Sequence, residues 1–297
     1  MEQLIYRVAQ RDNYQELAER LVHISQTPEQ HCLHSWSGQN SDALWQQLLS
    51  YLDDAELRYV IAYRNSKMVG AMGSEYDEEL GRGWLHGPHV MTESWDDIAS
   101  ELYARLLKEI PACVRQLDAY LNIANVRGRR FYAQQGFKER ESFSYEFWLT
   151  ADDRVDSSDR PYTLLDERHE ASFVRLFHSL FPTAYYSGQR ILHMLGGSHQ
   201  VLVVAEEEEV LGFVVMSTDK SLSAGEIQFF GMREDCRGVG YGRSLLLMAI
   251  DWLLDSVGVS QVGLNVGEEL IHARSLYESV GFKLQFTGVG LQKILLT

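Results

Sequence analysis

The sequence predicts an α/β protein made of two tandem domains, each with a central mixed β-sheet flanked by helices. Three observations lead to this fold class. The chain has 297 residues, about twice the usual length of one domain. A short motif recurs in the second half, and both halves mix alternating strand patterns with amphipathic helix patterns. That mixed order favours a sheet with helices on both faces.

The internal repeat is the strongest evidence for a duplication. Residues 131–138 read FYAQQGFK and residues 276–283 read LYESVGFK, so Tyr, Gly, Phe and Lys recur at one offset of 145 residues. A polar stretch without periodicity lies between the halves and is typical of a linker. We therefore expect a first domain at 1–150, a linker at 151–159 and a second domain at 160–297.

The two halves predict the same order of elements. Each opens with a short strand and amphipathic helices, continues with a β-hairpin, and then has a strand that leads into a long helix. A further strand, a short helix and a last strand complete each half. The first half has its opening strand at 5–8 and its hairpin at 57–63 and 68–74. In the second half the elements are predicted at 162–165, 201–206, 210–217, 226–232, 240–257, 261–266, 270–280 and from 282 onward.

The charge of the chain bears on its partners. Lys and Arg total 27 against 42 Asp and Glu, and the resulting charge of −15 is spread evenly over both halves. Such a surface repels phosphate backbones, so nucleic acid is not an expected partner. It attracts cationic amines, although acidity of this kind also keeps a protein soluble.

Cysteine use and hydropathy indicate a cytoplasmic protein without a membrane segment. The three cysteines are widely spaced and form no Cys-x-x-Cys pair, which suits a reducing compartment. The first residues lack an apolar signal core, and the longest apolar run, 245–250, is too short to cross a bilayer. The histidine pairs His31/His34 and His86/His89 have no second pair at ligand spacing, so no metal is expected.

A glycine-rich segment after an apolar strand carries the clearest functional signal. Glycines at a strand–helix junction let successive backbone N–H groups turn toward one anion, and the helix N-terminus adds positive potential. The segment therefore predicts a pyrophosphate site; a glycine-rich turn that only allows close packing is the alternative. It follows the strand at 226–232 and consists of Arg237, Gly238, Val239, Gly240, Tyr241, Gly242 and Arg243.

Further motifs of the second half follow in a fixed order. Asn265 lies on a predicted strand, and Ala273 and Tyr277 lie on the short helix. Together with the glycine-rich segment, this order resembles the GNAT superfamily of acetyl-CoA-dependent N-acetyltransferases. The resemblance covers residues 160–297 and extends to the first half around Tyr132.

The resemblance implies a position for each part of acetyl-CoA. In the family, a bulged strand separates from the next strand, and the pantetheine arm lies between them like an added strand. The family's frequent asparagine near the coenzyme is replaced here by Leu270, so Asn265 or a backbone group would take its place. The positions that match the arm-binding residues are Phe230, Gly231 and Met232, and those that match the pyrophosphate site run from Gly238 to Arg243.

Acetyl transfer to an amine also sets acid–base demands. The attacking amine must be neutral, yet a lysine-like amine has a pKa of about 10.4, so a base must take a proton. Glu226, where some family members place a catalytic glutamate, is the candidate base; an exposed strand-edge residue is the alternative. Tyr277, at the family's general-acid position, would protonate the departing thiolate; a core aromatic is its alternative. Backbone N–H groups near Met232 would meet the charge on the carbonyl oxygen.

The first half retains the motif around Asn125 and Tyr132 but lacks the glycine-rich segment. The equivalent stretch, 89–98, contains no glycine and places Glu93 and Asp96 at the start of a helix. Carboxylates there suit the helix dipole but repel a pyrophosphate. We expect no coenzyme in this domain, whose role would be structural, as a pseudo-symmetric partner or one wall of the acceptor cleft.

These expectations define the predicted function. The chain is expected to be an acyltransferase that moves acetyl from acetyl-CoA directly to an amine of a small molecule, an antibiotic or a peptide. Leu270 keeps a second interpretation open, a non-catalytic acyl-CoA-binding or interaction protein, and a transferase of a longer acyl group is a third. Phe181, Tyr185 and Tyr186 either line the acceptor site or pack in the core. Both a monomer with pseudo-dimeric domains and a homodimer fit the sequence.

Overall fold

Two compact units make up the structure, a computed structural model that describes residues 4–32, 40–53, 56–155, 163–182, 184, 186–219 and 222–295. The first unit comprises Met1–Phe143 with Phe286–Thr297, and the second comprises Ser144–Gln285. Part of the predicted linker, 156–159, lies outside the described residues, as do His34 and Tyr185.

Strands and helices alternate in both halves of the chain. The first half contains β1 (Leu4–Val8), α1 (Tyr14–Ile24), α2 (Ser41–Asp53), β2 (Leu57–Arg64), β3 (Lys67–Asp77), β4 (Arg82–Val90), α3 (Trp95–Glu109), β5 (Gln116–Asn122), α4 (Val126–Gln134), β6 (Lys138–Glu139) and β7 (Ser144–Thr150). The second half contains β8 (Thr163–Leu164), α5 (Glu167–Leu180), α6 (Gly188–Met194), β9 (His199–Glu206), β10 (Glu209–Asp219), β11 (Ala224–Met232), α7 (Tyr241–Asp251), β12 (Gln261–Gly267), α8 (Ile271–Ser279) and β13 (Lys283–Ile294). A π-helical segment, Trp252–Val257, continues α7.

Each unit is built on a mixed sheet. In the first unit the strand order is β1-β2-β3-β4-β5-β13 with β6 beside β13, and β4 and β5 run parallel. In the second unit the order is β8-β9-β10-β11-β12-β7, and β11 and β12 run parallel. All other described pairs are antiparallel. The predicted mixed α/β fold class is therefore confirmed.

Helices cover both faces of each sheet, as the sequence predicts. In the second unit, α7 and α8 bury their apolar side chains on one face, together with alternate residues of β12. Helices α5 and α6 cover the other face, where Phe173 and Phe177 pack on Phe213. In the first unit, α3 and α4 lie on one face and α1 and α2 on the other.

Each sheet is completed by a strand from the other half of the sequence. Strand β7 pairs with β12 along its whole length, from Thr150 opposite Gln261 to Ser144 opposite Gly267. Strand β13 pairs with β5, with Gly288 opposite Asn122. The boundaries 1–150 and 160–297 stay a prediction, because they follow the sequence repeat and not the strand pairing.

Neither a metal centre nor a membrane-spanning segment is found among the described residues. No three His, Cys, Asp or Glu side chains there lie close enough together to hold an ion. No helix in the same part of the chain combines the length and apolar character needed to span a bilayer. None of the three cysteines forms a disulfide.

A buried polar cluster lies on β2, β3 and β4 of the first unit. The hydroxyl of Tyr59 and Nδ1 of His86 are hydrogen-bonded at 2.8 Å, and Nε2 of His86 lies 3.8 Å from Oε2 of Glu75. Burial, with a smaller contribution from the charge of Glu56, raises the pKa of Glu75 to about 7. The ionised carboxylate is therefore disfavoured in the folded protein at neutral pH.

We expect Glu75→Gln to stabilise the protein at pH 8 and to leave it unchanged near pH 4. A carboxyl whose pKa is higher in the folded state favours folding at low pH and loses that contribution as pH rises through its folded pKa, about 7 here. The neutral amide avoids that loss, so the free energy of unfolding should rise by about 2 kcal/mol at pH 8. Urea unfolding at both pH values measures this. Exposed Glu78, changed to Gln, is the control, and equal effects of both variants would contradict the assignment.

The pairing of β7 with β12 predicts which unit a core substitution destabilises. Phe147, on β7, packs in the core of the second unit, whereas Phe131 packs in the core of the first. Replacing either buried Phe by Ala should cost about 3–5 kcal/mol. Hydrogen exchange read by mass spectrometry should show faster exchange in β12 and α7 for Phe147→Ala, and in α3 and β5 for Phe131→Ala. Faster exchange confined to the first unit in Phe147→Ala would contradict the observed pairing.

Candidate active site

The β11–β12 ladder ends part-way along β11. The parallel pairing runs from Ala224 opposite Gln261 to Ile227 opposite Leu264 and stops there. On the other edge, Val215 and Met216 of β10 pair with Phe229 and Ile227, so Gln228 is the extra residue of a β-bulge. A bulge bends its strand and disrupts the local ladder. The last residues of β11 thus leave β12 and offer backbone groups on the edge where an extended chain can add.

The loop between β11 and α7 has the backbone that its glycines permit. Gly238 and Gly240 have φ values of 78° and 93°, in the left-handed region that a side chain would strain. A Cβ at either position would meet no atom within 4 Å, so open space lies beside the loop. Gly240 is the N-cap of α7 and supplies no side chain to cap it. The first N–H groups of the helix therefore face that space without a capping partner.

Close packing holds this loop and helix at the end of β11. A Cβ on Gly242 would lie 3.3 Å from Phe230 and 3.5 Å from Met232, so a glycine lets the first turn of α7 approach the strand. The Nε of Arg237 donates to the carbonyl of Met232 at 3.1 Å. Arg243 lies half-buried in the first turn of α7, and Val239 is 69% exposed. Two guanidinium groups and a helix N-terminus consequently give this end of β11 a positive potential.

Tyr277 lies beside the same end of β11. Its ring is 7% exposed and packs edge-on against Phe230 and Phe282, with centroids 6.2 and 6.1 Å away. Burial raises the pKa of its hydroxyl to about 12. Within the described part of the chain, this hydroxyl makes no hydrogen bond. Tyr277 is therefore a protonated donor at neutral pH, with its proton uncommitted to a described acceptor.

Glu226 lies at the start of β11, in register with Ser217 of β10 and Gly263 of β12. Its carboxylate is reached by solvent, and Ser217 Oγ donates to it at 3.4 Å. Desolvation by the surrounding residues raises the pKa of this carboxyl, and hydrogen bonds from Gln228 and Ser217 lower it in part. Four residues of extended strand, about 13 Å, separate it from Phe230. Glu226 is thus a carboxylate with raised basicity that reaches the end of β11 only through water or a bound molecule.

Comparison with known proteins adds to this geometry. Residues 156–282 match the family model described as the acetyltransferase (GNAT) family. The matched residues lie within the second unit, which we name the GNAT domain after this match. A search of curated protein sequences returns no significant match.

Solved structures with the GNAT fold resemble nearly the whole chain. A GCN5-related N-acetyltransferase from Sphaerobacter thermophilus matches with a TM-score of 0.71 and 16% identity, covering 98% of this chain and 95% of that one. A tandem GNAT protein from the clavulanic acid biosynthesis pathway matches at 0.67 and 14%, covering 98% of both chains. A GCN5-related glucosamine N-acetyltransferase region of a fungal multi-domain GH3 beta-N-acetylglucosaminidase matches at 0.66 and 14%, covering 98% of this chain and 38% of that one. The fold of the chain is therefore that of tandem GNAT proteins, as the repeat predicts.

The GNAT domain brings some of the predicted residues together and separates others. Around the end of β11 it gathers Phe230, Gly231, Met232, Tyr277 and the segment 237–243. Glu226 and Asn265 lie elsewhere. Alternate residues of β12 point into the core under α7 and α8, so Asn265 lies on the opposite face of the sheet from Tyr277.

Asn265 has a partner that the sequence analysis missed. Its Nδ2 donates to Oε1 of Glu146, which lies opposite it on β7. On the same strand, Trp148 covers Gly263, the neighbour of Glu226 across the ladder. The alternating pattern of 144–150 could have indicated a strand there, but no signal indicated that this strand belongs to the GNAT domain. The roles predicted for Asn265 and Glu226 stay predictions.

The two described aromatic residues after α5 both pack against the core of the second unit. Phe181 packs against Phe177, Phe213 and Phe229 at centroid distances of 5.2–6.2 Å, which places its ring in the core over β11. Tyr186 is partly buried against the same core, and Tyr185 lies outside the described residues.

In the first unit two parallel strands separate in the same way, but different residues surround the separation. Its β4–β5 ladder ends at Leu85 opposite Ala119. The hydroxyl of Tyr132, the counterpart of Tyr277, donates to the carbonyl of Gly87 at 2.7 Å. Helix α3 begins at Trp95 with two aspartates in its first turn and no glycine before it. In this unit the tyrosine hydroxyl therefore satisfies the freed edge of β4, while Cys32 forms an antiparallel bridge with Leu121 on the freed edge of β5.

Proposed function

We propose that the GNAT domain is an acetyl-CoA-dependent N-acetyltransferase that moves acetyl directly to an amine. The observation that carries the proposal is the end of β11, where a bulged strand, an open glycine loop and the Tyr277 hydroxyl meet. This is the combination that an extended thiol cofactor with a pyrophosphate requires: a free strand edge, an anion site and a proton donor.

The residues of the loop fit the donor's phosphates. Gly238 and Gly240 leave open space where a side chain would stand, and the uncapped N-terminus of α7 lies beside it. Arg237 and Arg243 supply charge on either side of the loop. The backbone of Phe230, Gly231 and Met232 would hold the pantetheine arm. Acetyl-CoA supplies an activated acetyl thioester to this site.

The chain's own residues supply the proton transfers. Glu226 takes a proton from the ammonium group of the acceptor, through water, because it lies about 13 Å along the strand from Phe230. The neutral nitrogen then bonds to the acetyl carbon as the carbon–sulfur bond breaks, and it gives its second proton to water. Tyr277 gives its proton to the sulfur, and backbone N–H groups near Met232 stabilise charge on the carbonyl oxygen. The products are an amide and a thiol, and solvent restores both protonation states.

A small cationic amine is the acceptor class that the surroundings of Glu226 support best. Glu226 and Glu146 lie on the same face of the sheet, so two carboxylates attract a cation there. Trp148 gives that face an aromatic surface. One structural relative is named as a glucosamine N-acetyltransferase region. Glucosamine is a small amine of this class. An antibiotic amine or a peptide N-terminus carries the same charge.

We include a cytoplasmic location in the proposal, because cysteines without disulfides suit a reducing compartment.

A calorimetric titration with acetyl-CoA tests the donor site. We expect one site per chain, and a loss of affinity of at least 100-fold in Gly240→Glu, because a carboxylate then projects into the phosphate space. Gly258→Glu is the matched control: its φ of 81° and its open surroundings resemble those of Gly240, and it lies at the end of the π-helical segment. The control should bind within twofold of the unchanged chain. Two sites per chain, or equal effects of both variants, would contradict the assignment.

Amine-dependent release of thiol, screened over a panel of small amines, tests the proton transfers. Tyr277→Phe should lower kcat by about 100-fold with unchanged acetyl-CoA affinity, and Tyr145→Phe, in the same core, should leave the rate unchanged. The base must be deprotonated, so the rate should fall as pH drops through the raised pKa of Glu226, and Glu226→Gln should lose that dependence. No fall at high pH is expected below about pH 11, since the pKa of Tyr277 is about 12. Binding of acetyl-CoA without turnover of any amine would favour the non-catalytic alternative.

A further inference from the structure

The first unit contains a cavity of about 780 Å³ that the proposed reaction does not use. Its walls come from residues that follow β4 and β5, including Met91 and Asn125, and from the segment after α1. These are the carboxyl ends of two parallel strands that separate after Leu85 and Ala119. In open α/β sheets, ligands bind in the crevice at such a position. The volume is also in the range of small-molecule sites.

The features that suit a coenzyme in the second unit are absent from this cavity's described walls. The carbonyl of Gly87 on the freed edge of β4 already accepts the Tyr132 hydroxyl at 2.7 Å. The residues that join β4 to α3 include no positive-φ glycine, and Glu93 stands among them. Asp96 in the first turn of α3 adds further negative charge. A pyrophosphate would meet repulsion here in place of an N–H nest.

The charges that line the cavity favour a cation. Glu29, from the segment after α1, and Glu93, from the β4–α3 connection, contribute carboxylates from two different parts of the chain. Arg127 also lines it, but its guanidinium pairs with Asp96 at 3.2 Å and lies 4.8 Å from the centre of the Trp95 ring. The charge of Arg127 is therefore largely offset by Asp96, which does not line the cavity. Glu29 and Glu93 then make the electrostatic potential in the cavity negative.

The remaining walls suit a short apolar body. Ile24, Pro88, Val90 and Met91 give the cavity apolar surface next to the carboxylates. From this combination we propose that the cavity binds a small organic ammonium ion, held by Glu29 and Glu93 at its charged groups and by the apolar residues along its chain. The site belongs to the first unit alone and is independent of the acetyl-transfer reaction.

Three probes of equal length separate the charge from the shape of the ligand. Pentane-1,5-diamine carries positive ends, pentane-1,5-diol is neutral, and glutarate carries negative ends. Calorimetry on the full chain should show binding of the diamine, with the diol and glutarate at least tenfold weaker. Equal binding of glutarate or of the diol would overturn the proposal.

Matched variants locate the binding. Glu29→Gln and Glu93→Gln, which keep the shape and remove the charge, should each weaken diamine binding by at least tenfold. Glu141→Gln, an exposed glutamate of the same unit outside the cavity wall, should leave it within twofold. Circular dichroism melting shows that each variant is folded. Unchanged affinity in both Glu29→Gln and Glu93→Gln would overturn the proposal.

A last variant separates this site from the proposed acceptor site. The diamine is itself an amine, so it can also bind near Glu226 in the GNAT domain. In Glu226→Gln the cavity should still bind the diamine with unchanged affinity, whether or not the chain acetylates amines. Loss of all diamine binding in Glu226→Gln would assign the binding to the acceptor site and overturn the proposal.

Discussion

The end of the parallel β11–β12 ladder is the constraint on which the candidate active site depends. Pairing stops at Ile227 opposite Leu264, next to the bulge at Gln228. Helix α7 follows the first of these strands, and α8 follows the second. Because the strands separate, the helices that continue from them bring the glycine loop and Tyr277 to the same freed edge. One backbone irregularity thus positions the proposed anion site and the proposed proton donor, which lie far apart in the sequence.

The two units show that the separation alone does not make a site. Both ladders end at equivalent positions, but the Tyr132 hydroxyl bonds to the freed carbonyl of Gly87, while no described residue accepts from Tyr277. A hydrogen bond such as that of the Tyr132 hydroxyl contributes about 1 kcal/mol to stability. The first unit gains that stability from the Tyr132 hydroxyl, whereas in the second unit the Tyr277 hydroxyl stays available to donate to a bound molecule. The proposed division of roles, structural in the first unit and chemical in the second, rests on this difference.

Local features such as turns and repeats can be predicted from the sequence, whereas the pairing of strands that lie far apart in the chain cannot. The loop at 237–243 could be found because left-handed backbone requires glycine at particular positions, and the repeat could be found by its spacing. The exchange of β7 and β13 could not, because both strands alternate in the same way and neither pattern names its partner. Glu146 and Trp148 were missed for that reason, although they lie beside Asn265 and Glu226.

Leu270, in place of the family asparagine, leaves α8 without a side-chain cap. At the equivalent position in the first unit, the Oδ1 of Asn125 accepts the N–H of Gly128 at 2.8 Å and caps α4. A Cβ on Gly128 would lie 2.7 Å from that oxygen, so the glycine leaves room for this cap. The second unit has Ala273 there, and its N-cap, Leu270, makes no side-chain hydrogen bond. Helix α8 therefore forgoes a cap that contributes about 1 kcal/mol.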